Sequence, residues 1–317
     1  MYIGIDLGGT NIAVGLVDDS GKVIIKDSTP TLASREAEEI VKDMITVSEK
    51  IVKKAGYSMS DIKGIGIGCP SAVDNATGEV VYTANIESFR NIPLAEMIRK
   101  YYDIPVTLEN DANAAAYGEY MVNGEDASVF VAVTLGTGIG GGIIIDKKIF
   151  RGSNGAGTEI GHVPLVHNGI KCNCGRKGCW EIYASVTALV NQTKVAIAKH
   201  PESLMKTIAD ERGTVNGRTA FDAAKKGDSV AQAVVDKYIE YVADGLVGII
   251  NIFQPEKVVI SGGISKEGDY LIKPITDFVR KYDFNKFFEP RVKIEPATLL
   301  DDAGIIGAAL AAKNQNL

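Results

Sequence analysis

The feature that most constrains this chain occurs twice, about one domain length apart: an apolar strand breaks into a glycine turn and returns as a second strand. Residues 2–5 run into Asp6-Leu7-Gly8-Gly9-Thr10-Asn11, a second strand covers 12–17, a turn follows at Asp18-Asp19-Ser20-Gly21, and a third strand covers 23–25. Residues 129–134 run into Leu135-Gly136-Thr137-Gly138-Ile139-Gly140-Gly141-Gly142, then 143–145, then a turn at Asp146-Lys147-Lys148. Two β-runs joined by such a turn read as a hairpin. Glycines there let backbone N–H groups approach a phosphate closely, and Thr10 adds a hydroxyl. Asp6, at the end of its strand, is placed to hold Mg²⁺ through water. The Gly-Lys-Ser/Thr of a Walker A loop is absent. A repeat of this kind predicts two equivalent half-molecules, each presenting a phosphate-gripping hairpin to a central cleft.

A second dense stretch runs from Gly155 to Ser185. It holds three of the four cysteines, two of the three histidines, and Glu159 and Glu181 at its flanks. Cys172, Cys174 and Cys179 form C-x-C-x₄-C, with Gly175 and Gly178 allowing a tight knuckle. Three thiolates and one imidazole fill a tetrahedral zinc shell with no open position, so the site is expected to be structural. On spacing alone His162 and His167 are both candidates for the fourth ligand. A knuckle between the two glutamates would hold two acceptor carboxylates in fixed positions, which suits sugar hydroxyls.

The remainder is α/β material. Residues 34–55 pattern as an amphipathic helix with Ile40, Met44, Val47 and Ile51 on one stripe and Gly56 as the stop. A buried strand at 65–67 ends in Gly68-Cys69-Pro70-Ser71, where Cys69 reads as a small core hydrophobe. A strand at 105–108 runs into Glu109-Asn110-Asp111-Ala112-Asn113 and an alanine-rich helix. Asp111 thus stands where a helix N-cap belongs and equally where a general base could sit. The helix N-terminus is expected to keep its carboxylate ionised, and as a weak base it would suit the loose transition state of phosphoryl transfer. Helical patterns cover 185–199, 201–211 and 228–253, the last capped by Asp228; a strand at 257–260 precedes Ser261-Gly262-Gly263. Residues 304–312 form a small-residue helix suited to close packing.

With 317 residues and 45% hydrophobic content the chain can build two cores. A net charge of −6 without a long basic run argues against nucleic acid as a partner. No apolar run reaches membrane-spanning length and the N-terminus lacks a signal-peptide pattern, so no membrane partner is expected. Cysteines arranged for metal fit a reducing cytoplasm.

The motifs DLGGTN (6–11), ENDANAAAYGE (109–119), LGTGIGGG (135–142), GTEIGH (157–162), CNCGRKGCWE (172–181) and SGGIS (261–265) resemble the ROK family of repressors and sugar kinases along essentially the whole chain. Within it the chain looks most like the ATP-dependent kinases of glucose. The resemblance implies a two-domain, actin-like (ribonuclease-H-like) ATPase fold of α/β class. The expected smaller domain comprises 1–115 with a C-terminal helix at 301–317, and the larger comprises 116–300. It implies transfer of the ATP γ-phosphoryl group to the 6-hydroxyl of glucose, with Asp111 as base. Asn85, Asn110, Asp111, Glu159, His162 and Glu181 would meet the hexose. ATP would lie on Asp6, Gly8, Gly9, Thr10, Asn11, Gly136, Thr137 and Gly138, with Gly262 and Gly263 near the nucleoside. Zn²⁺ would be held by His162, Cys172, Cys174 and Cys179, and Mg²⁺ would accompany the nucleotide. A cytoplasmic homodimer or homotetramer is implied. Kinases of N-acetylmannosamine, N-acetylglucosamine or fructose are the alternatives within the family. A sugar-responsive repressor is a further, less expected one: such repressors carry a winged helix-turn-helix before the DxGGT strand, for which the five residues ahead of Asp6 leave no room, and the acidic charge balance agrees. The family has Gly after the Pro of the loop at 68–74, where this chain has Ser71.

Overall fold

The computed structural model describes residues 1–83, 85–124 and 126–314; the last three residues of the expected C-terminal segment lie outside them. In chain order the elements are β1 (Tyr2–Leu7), β2 (Asn11–Val17), β3 (Val23–Pro30), α1 (Ala37–Lys54), β4 (Gly64–Cys69), β5 (Ala72–Asp74), β6 (Glu79–Tyr82), β7 (Arg90–Ile92), α2 (Leu94–Arg99), β8 (Val106–Asn110) and α3 (Asp111–Asn123). There follow β9 (Val129–Leu135), β10 (Ile139–Ile145), β11 (Lys148–Ile149), α4 (Glu181–Ala184), α5 (Val186–Lys199), α6 (Leu204–Arg212), α7 (Thr219–Ala224), α8 (Ser229–Phe253), β12 (Lys257–Ser261), α9 (Asp269–Tyr282), β13 (Lys293–Pro296) and α10 (Ala303–Lys313).

The duplicated motif becomes two sheets with the same plan. One has the order β3-β2-β1-β4-β8 and the other β11-β10-β9-β12-β13. In the first, β1 and β2 pair antiparallel with Leu7 opposite Ile12, while β4 joins β1 and β8 joins β4 in parallel. In the second, β10 and β11 are antiparallel, and β12 and β13 are parallel. A small third sheet, β5-β6-β7, had no clear signal, because its strands are three or four residues long and largely exposed.

By contact density the chain forms two compact units. The first comprises Met1–Val131, Gly142–Thr158 and Thr298–Leu317; the second comprises Ala132–Gly141 and Glu159–Ala297.

In the first unit, α1 lays Ile40, Met44, Val47 and Ile51 into the core, as its pattern requires. Each of the larger side chains contributes roughly 2 kcal/mol of burial as an upper estimate. The helix stops because Gly56, at φ +82°, donates to the Lys53 carbonyl while Tyr57 donates to that of Val52. This is a Schellman ending, which favours glycine at the left-handed position.

The small-residue pattern of α10 is explained by backbone contact. A Cβ at Gly4 would overlap the Ile305 carbonyl, one at Gly66 that of Ala308, and one at Gly118 that of Ala303. Conversely a Cβ at Gly307 would overlap the Ala114 carbonyl of α3. Every residue from Ala303 to Ala312 is buried. Buried Glu119 of α3 accepts from the Thr298 and Leu299 N–H groups at 3.2 and 2.8 Å, fixing the approach to α10.

Gly66→Ala should therefore cost at least about 3 kcal/mol, since two backbones must part. Gly227→Ala meets no atom within 4 Å and only a φ of +90°, so it should cost about 1–2 kcal/mol. Urea unfolding of the two variants, read by circular dichroism, checks the difference.

Candidate active site

The junction between β8 and α3 carries the candidate base. Two adjacent residues could cap α3, and Asn110 takes the role: its Oδ1 accepts from the Ala112 and Asn113 N–H groups at 3.0 and 3.1 Å. Its Nδ2 donates to the Ser71 carbonyl at 3.3 Å, which leaves one amide hydrogen for a ligand. Asp111 is released from capping; its carboxylate accepts from the Ala112 N–H at 2.8 Å and from its own backbone N–H. Its carboxyl pKa is raised, because burial outweighs these hydrogen bonds. The helix N-terminus favours the ionised form, but desolvation of that form is the larger effect on the carboxyl.

Asp6 lies near enough to matter. Burial, and then the charge of Asp111, push its carboxyl up to about 6. Two carboxylates that repel one another and are short of solvent fit a divalent cation, which would relieve both costs. The side chain of Asp6 lies against Gly304, where a Cβ would come within 2.9 Å of it. In the turn that follows, the Gly8 N–H donates to the Asn11 carbonyl at 2.9 Å and the Gly8 carbonyl accepts from Thr31 Oγ1 at 2.6 Å. Gly8 is thus committed to shaping the turn. Thr10 and Asn11 are exposed, and Gly9 packs its α-carbon against the side chain of exposed Asn85. Cys69 is fully buried and its thiol is pushed up to about 12, chiefly by desolvation, as befits a core residue.

In the second unit the cysteine stretch closes on itself. The ligand atoms of His162, Cys172, Cys174 and Cys179 all lie within 4.8 Å of one another. Cys172 Sγ is 3.8 Å from His162 Nδ1, and Cys174 Sγ is 3.6 Å from Cys179 Sγ. A tetrahedral zinc with Zn–S bonds of about 2.3 Å has edges of about 3.8 Å, so the four residues fit the metal. His167 is excluded: its Nε2 pairs with Asn168 Nδ2 at 2.9 Å on the surface. Gly175 and Gly178, at φ +91° and +82°, make the two bends.

The knuckle and the GTEIGH turn both seat on the second glycine hairpin. Glu159 and His162 are one turn apart, the His162 N–H donating to the Glu159 carbonyl at 3.0 Å. Between them Ile160 fills the space that Gly141 leaves, and Gly161 lies on the Ile139 carbonyl. Glu181 Oε2 accepts from the Ile139 N–H at 2.9 Å, and a Cβ at Gly138 would overlap that oxygen. Gly138 must therefore be glycine to admit Glu181, whatever else the loop holds. The Gly136 N–H donates within the turn to the Gly138 carbonyl at 3.0 Å, and exposed Thr137 lends its carbonyl to Thr187 Oγ1. Gly262, at φ +94°, presses on Leu135, whereas exposed Gly263 faces open space.

The family model described as "ROK family" matches residues 2–315. The chain belongs to the ROK family. It is 36% identical to a glucokinase of Thermotoga maritima, over 99% of this chain and 97% of that protein. A crystal structure of a ROK family glucokinase from Streptomyces griseus, in complex with glucose and AMPPNP, superposes with a TM-score of 0.82 at 34% identity, covering 98% and 99% of the two chains. A xylose repressor of Caldicellulosiruptor bescii is 31% identical over 96% of this chain, which spans 76% of its length. The fold is the actin-like ATPase fold that the family resemblance implied, with the Cys₃His cluster in place.

One ion pair beside Asn110 was not foreseen: Glu109, which is 1% exposed, and Arg151, paired with it at 2.6 Å. An acid ending an apolar strand was the available signal, since a buried carboxylate requires a partner. That partner lies 42 residues away in sequence, which no local pattern reveals.

Two outcomes follow. Elemental analysis should find about one zinc per chain in the parent and little in Cys174→Ala, which removes one of four ligands. Gly138→Ala should displace Glu181, so titration calorimetry should show at least about tenfold weaker glucose binding and a smaller loss for ATP.

Proposed function

We propose that this protein is an ATP-dependent hexose kinase that phosphorylates the 6-hydroxyl of glucose. What supports this most is a half-buried carboxylate, Asp111, at the first turn of α3 beside Asn110, with its basicity raised by desolvation. It occurs in a chain 36% identical to a glucokinase over nearly its whole length.

On this reading Asp111 accepts the proton of the attacking 6-hydroxyl. Raised basicity strengthens that step once the group is ionised. The free amide hydrogen of Asn110 donates to a neighbouring hydroxyl. Glu159 and the Oε1 of Glu181 accept from others; Oε2 of Glu181 is already taken by Ile139. His162 turns Nδ1 toward Cys172 Sγ, which leaves Nε2 to donate to sugar. Asn85, against Gly9, offers a further amide. Asp6, with Gly8, Gly9, Thr10, Asn11, Gly136, Thr137 and Gly138, would meet the phosphates, and Gly262 and Gly263 the nucleoside. Bound Mg²⁺ would supply charge neutralisation at the phosphates, and zinc would lock the knuckle. Metal-ready thiols suit a reducing, cytoplasmic setting.

A coupled ATPase assay across glucose, mannose, fructose, N-acetylglucosamine and N-acetylmannosamine, with mass spectrometry of the product, tests the reading. Glucose should give the largest kcat/KM. A larger value for an N-acetylated hexose would reassign the substrate, and sugar binding without turnover of any hexose would favour a sensor role.

Asp111→Asn should lower kcat by about a hundredfold or more, with glucose affinity little changed. The parent's kcat/KM should fall on acidification through about pH 6, where Asp6 takes up a proton. Ionising a carboxyl whose pKa folding has raised opposes folding, so that part of stability declines as pH rises from the unfolded value through the folded one. Without nucleotide, Asp111→Asn should therefore melt a few degrees higher than the parent at pH 7.5, and this gain should vanish near pH 4. Scanning calorimetry at the two pH values reads it.

A further inference from the structure

We infer that Glu109 and Arg151 form a positioning pair that holds two hexose-contacting segments, 109–113 and the residues leading into Glu159, in one register. The inference rests on the hexose-kinase reading.

Glu109 is the penultimate residue of β8 and is 1% exposed, yet both its oxygens are fully used. Arg151 donates to Oε2 through Nε at 2.7 Å and through Nη2 at 2.6 Å. Oε1 accepts from the Asn110 backbone N–H at 3.0 Å and from Asn113 Nδ2 at 3.2 Å. The bond to Asn113 fixes how that amide is turned, and its Oδ1 lies 3.1 Å from Thr158 Oγ1, whose single hydrogen it shares with the Gly157 carbonyl at 2.6 Å. Thr158 immediately precedes Glu159 and is held at φ +68°, a conformation a β-branched residue adopts only under constraint. One carboxylate thus reaches the backbone of the residue that caps α3 beside Asp111. Through one amide it also reaches the residue before Glu159. Arg151 supplies the charge that lets this carboxylate stay buried and bonded, a geometry suited to a planar guanidinium. None of the four side chains needs to touch substrate; they set where Asn110 and Glu159 stand. A displacement of about 1 Å in such groups is enough to weaken productive binding strongly.

The test is steady-state kinetics on Glu109→Gln, Arg151→Met, Arg151→Lys and the double variant Glu109→Gln/Arg151→Met, each checked by thermal melting. Both single variants, Glu109→Gln and Arg151→Met, should raise the KM for glucose about tenfold while the KM for ATP stays within about twofold. The double variant should be no worse than Glu109→Gln alone, because the two act as one unit. Arg151→Lys should lie closer to the parent than Arg151→Met. Should Glu109→Gln fail to fold, Arg151→Met, on a loop, carries the comparison with Arg151→Lys. An unchanged KM for glucose, equal rises for glucose and ATP, or additive losses in the double variant would overturn the inference while leaving the kinase reading intact. A parent that phosphorylates no hexose would overturn the kinase reading itself, and this inference with it.

Discussion

Helix α10 lies in backbone contact with β1, β4 and α3, and most of what matters in the first unit depends on that closeness. Gly4 and Gly66 on the strands, Gly118 on α3 and Gly307 on α10 itself each lack a side chain where a carbonyl of the facing element sits. Packing at this distance makes the interior dense and leaves little slack. It also brings α10 against the end of β1, where Gly304 seats the side chain of Asp6, and against α3 at Ala114 and Gly118, within the helix that Asp111 begins. Two carboxylates are thereby confined with little water, and both have their pKa raised. An ordinary leucine-rich helix would hold its neighbours farther apart and would not create this pair. The site is in this sense electrostatically strained by the packing around it, a cost that natural sites bear when function requires it.

In the second unit a corresponding role falls to the glycine hairpin between β9 and β10. It is a floor on which Glu181 and the turn from Glu159 to His162 are laid. Gly141 admits Ile160, Gly138 admits Glu181, and the Ile139 N–H holds the Glu181 carboxylate. The cysteine knuckle then ties the segment between Glu159 and Glu181 into a closed loop around four ligand atoms. A metal there has no open position for chemistry, and its contribution is to limit the freedom of the residues on either side. Nδ1 of His162 belongs to the knuckle and Nε2 remains outside it, so one side chain joins the structural metal to the face that would meet sugar.

The amino-acid sequence by itself determined the duplicated hairpins, the Cys₃His composition of the knuckle, the close-packed C-terminal helix, the glycine stop of α1 and the ends of α8. Each is a local or periodic signal: glycine where a turn needs it, cysteines within eight residues, small residues on every face, a cap before an apolar run. It left α9 unread, whose pattern is interrupted by Pro274, as well as short α7 and the edge strands β7 and β13. Tertiary structure alone decided three things at the site. It chose Asn110 over Asp111 as the cap, since either side chain suits that position and only the Ser71 carbonyl across the loop orients the amide. It brought His162 rather than His167 to the sulfurs, which spacing left open and only the family resemblance implied, because the knuckle's fold leaves the other ring in solvent. And it raised Asp111 rather than keeping it an ordinary acid, because desolvation depends on what surrounds a group in space. The Glu109–Arg151 pair belongs with these: charge complementarity across 42 residues has no expression in sequence until the chain has folded.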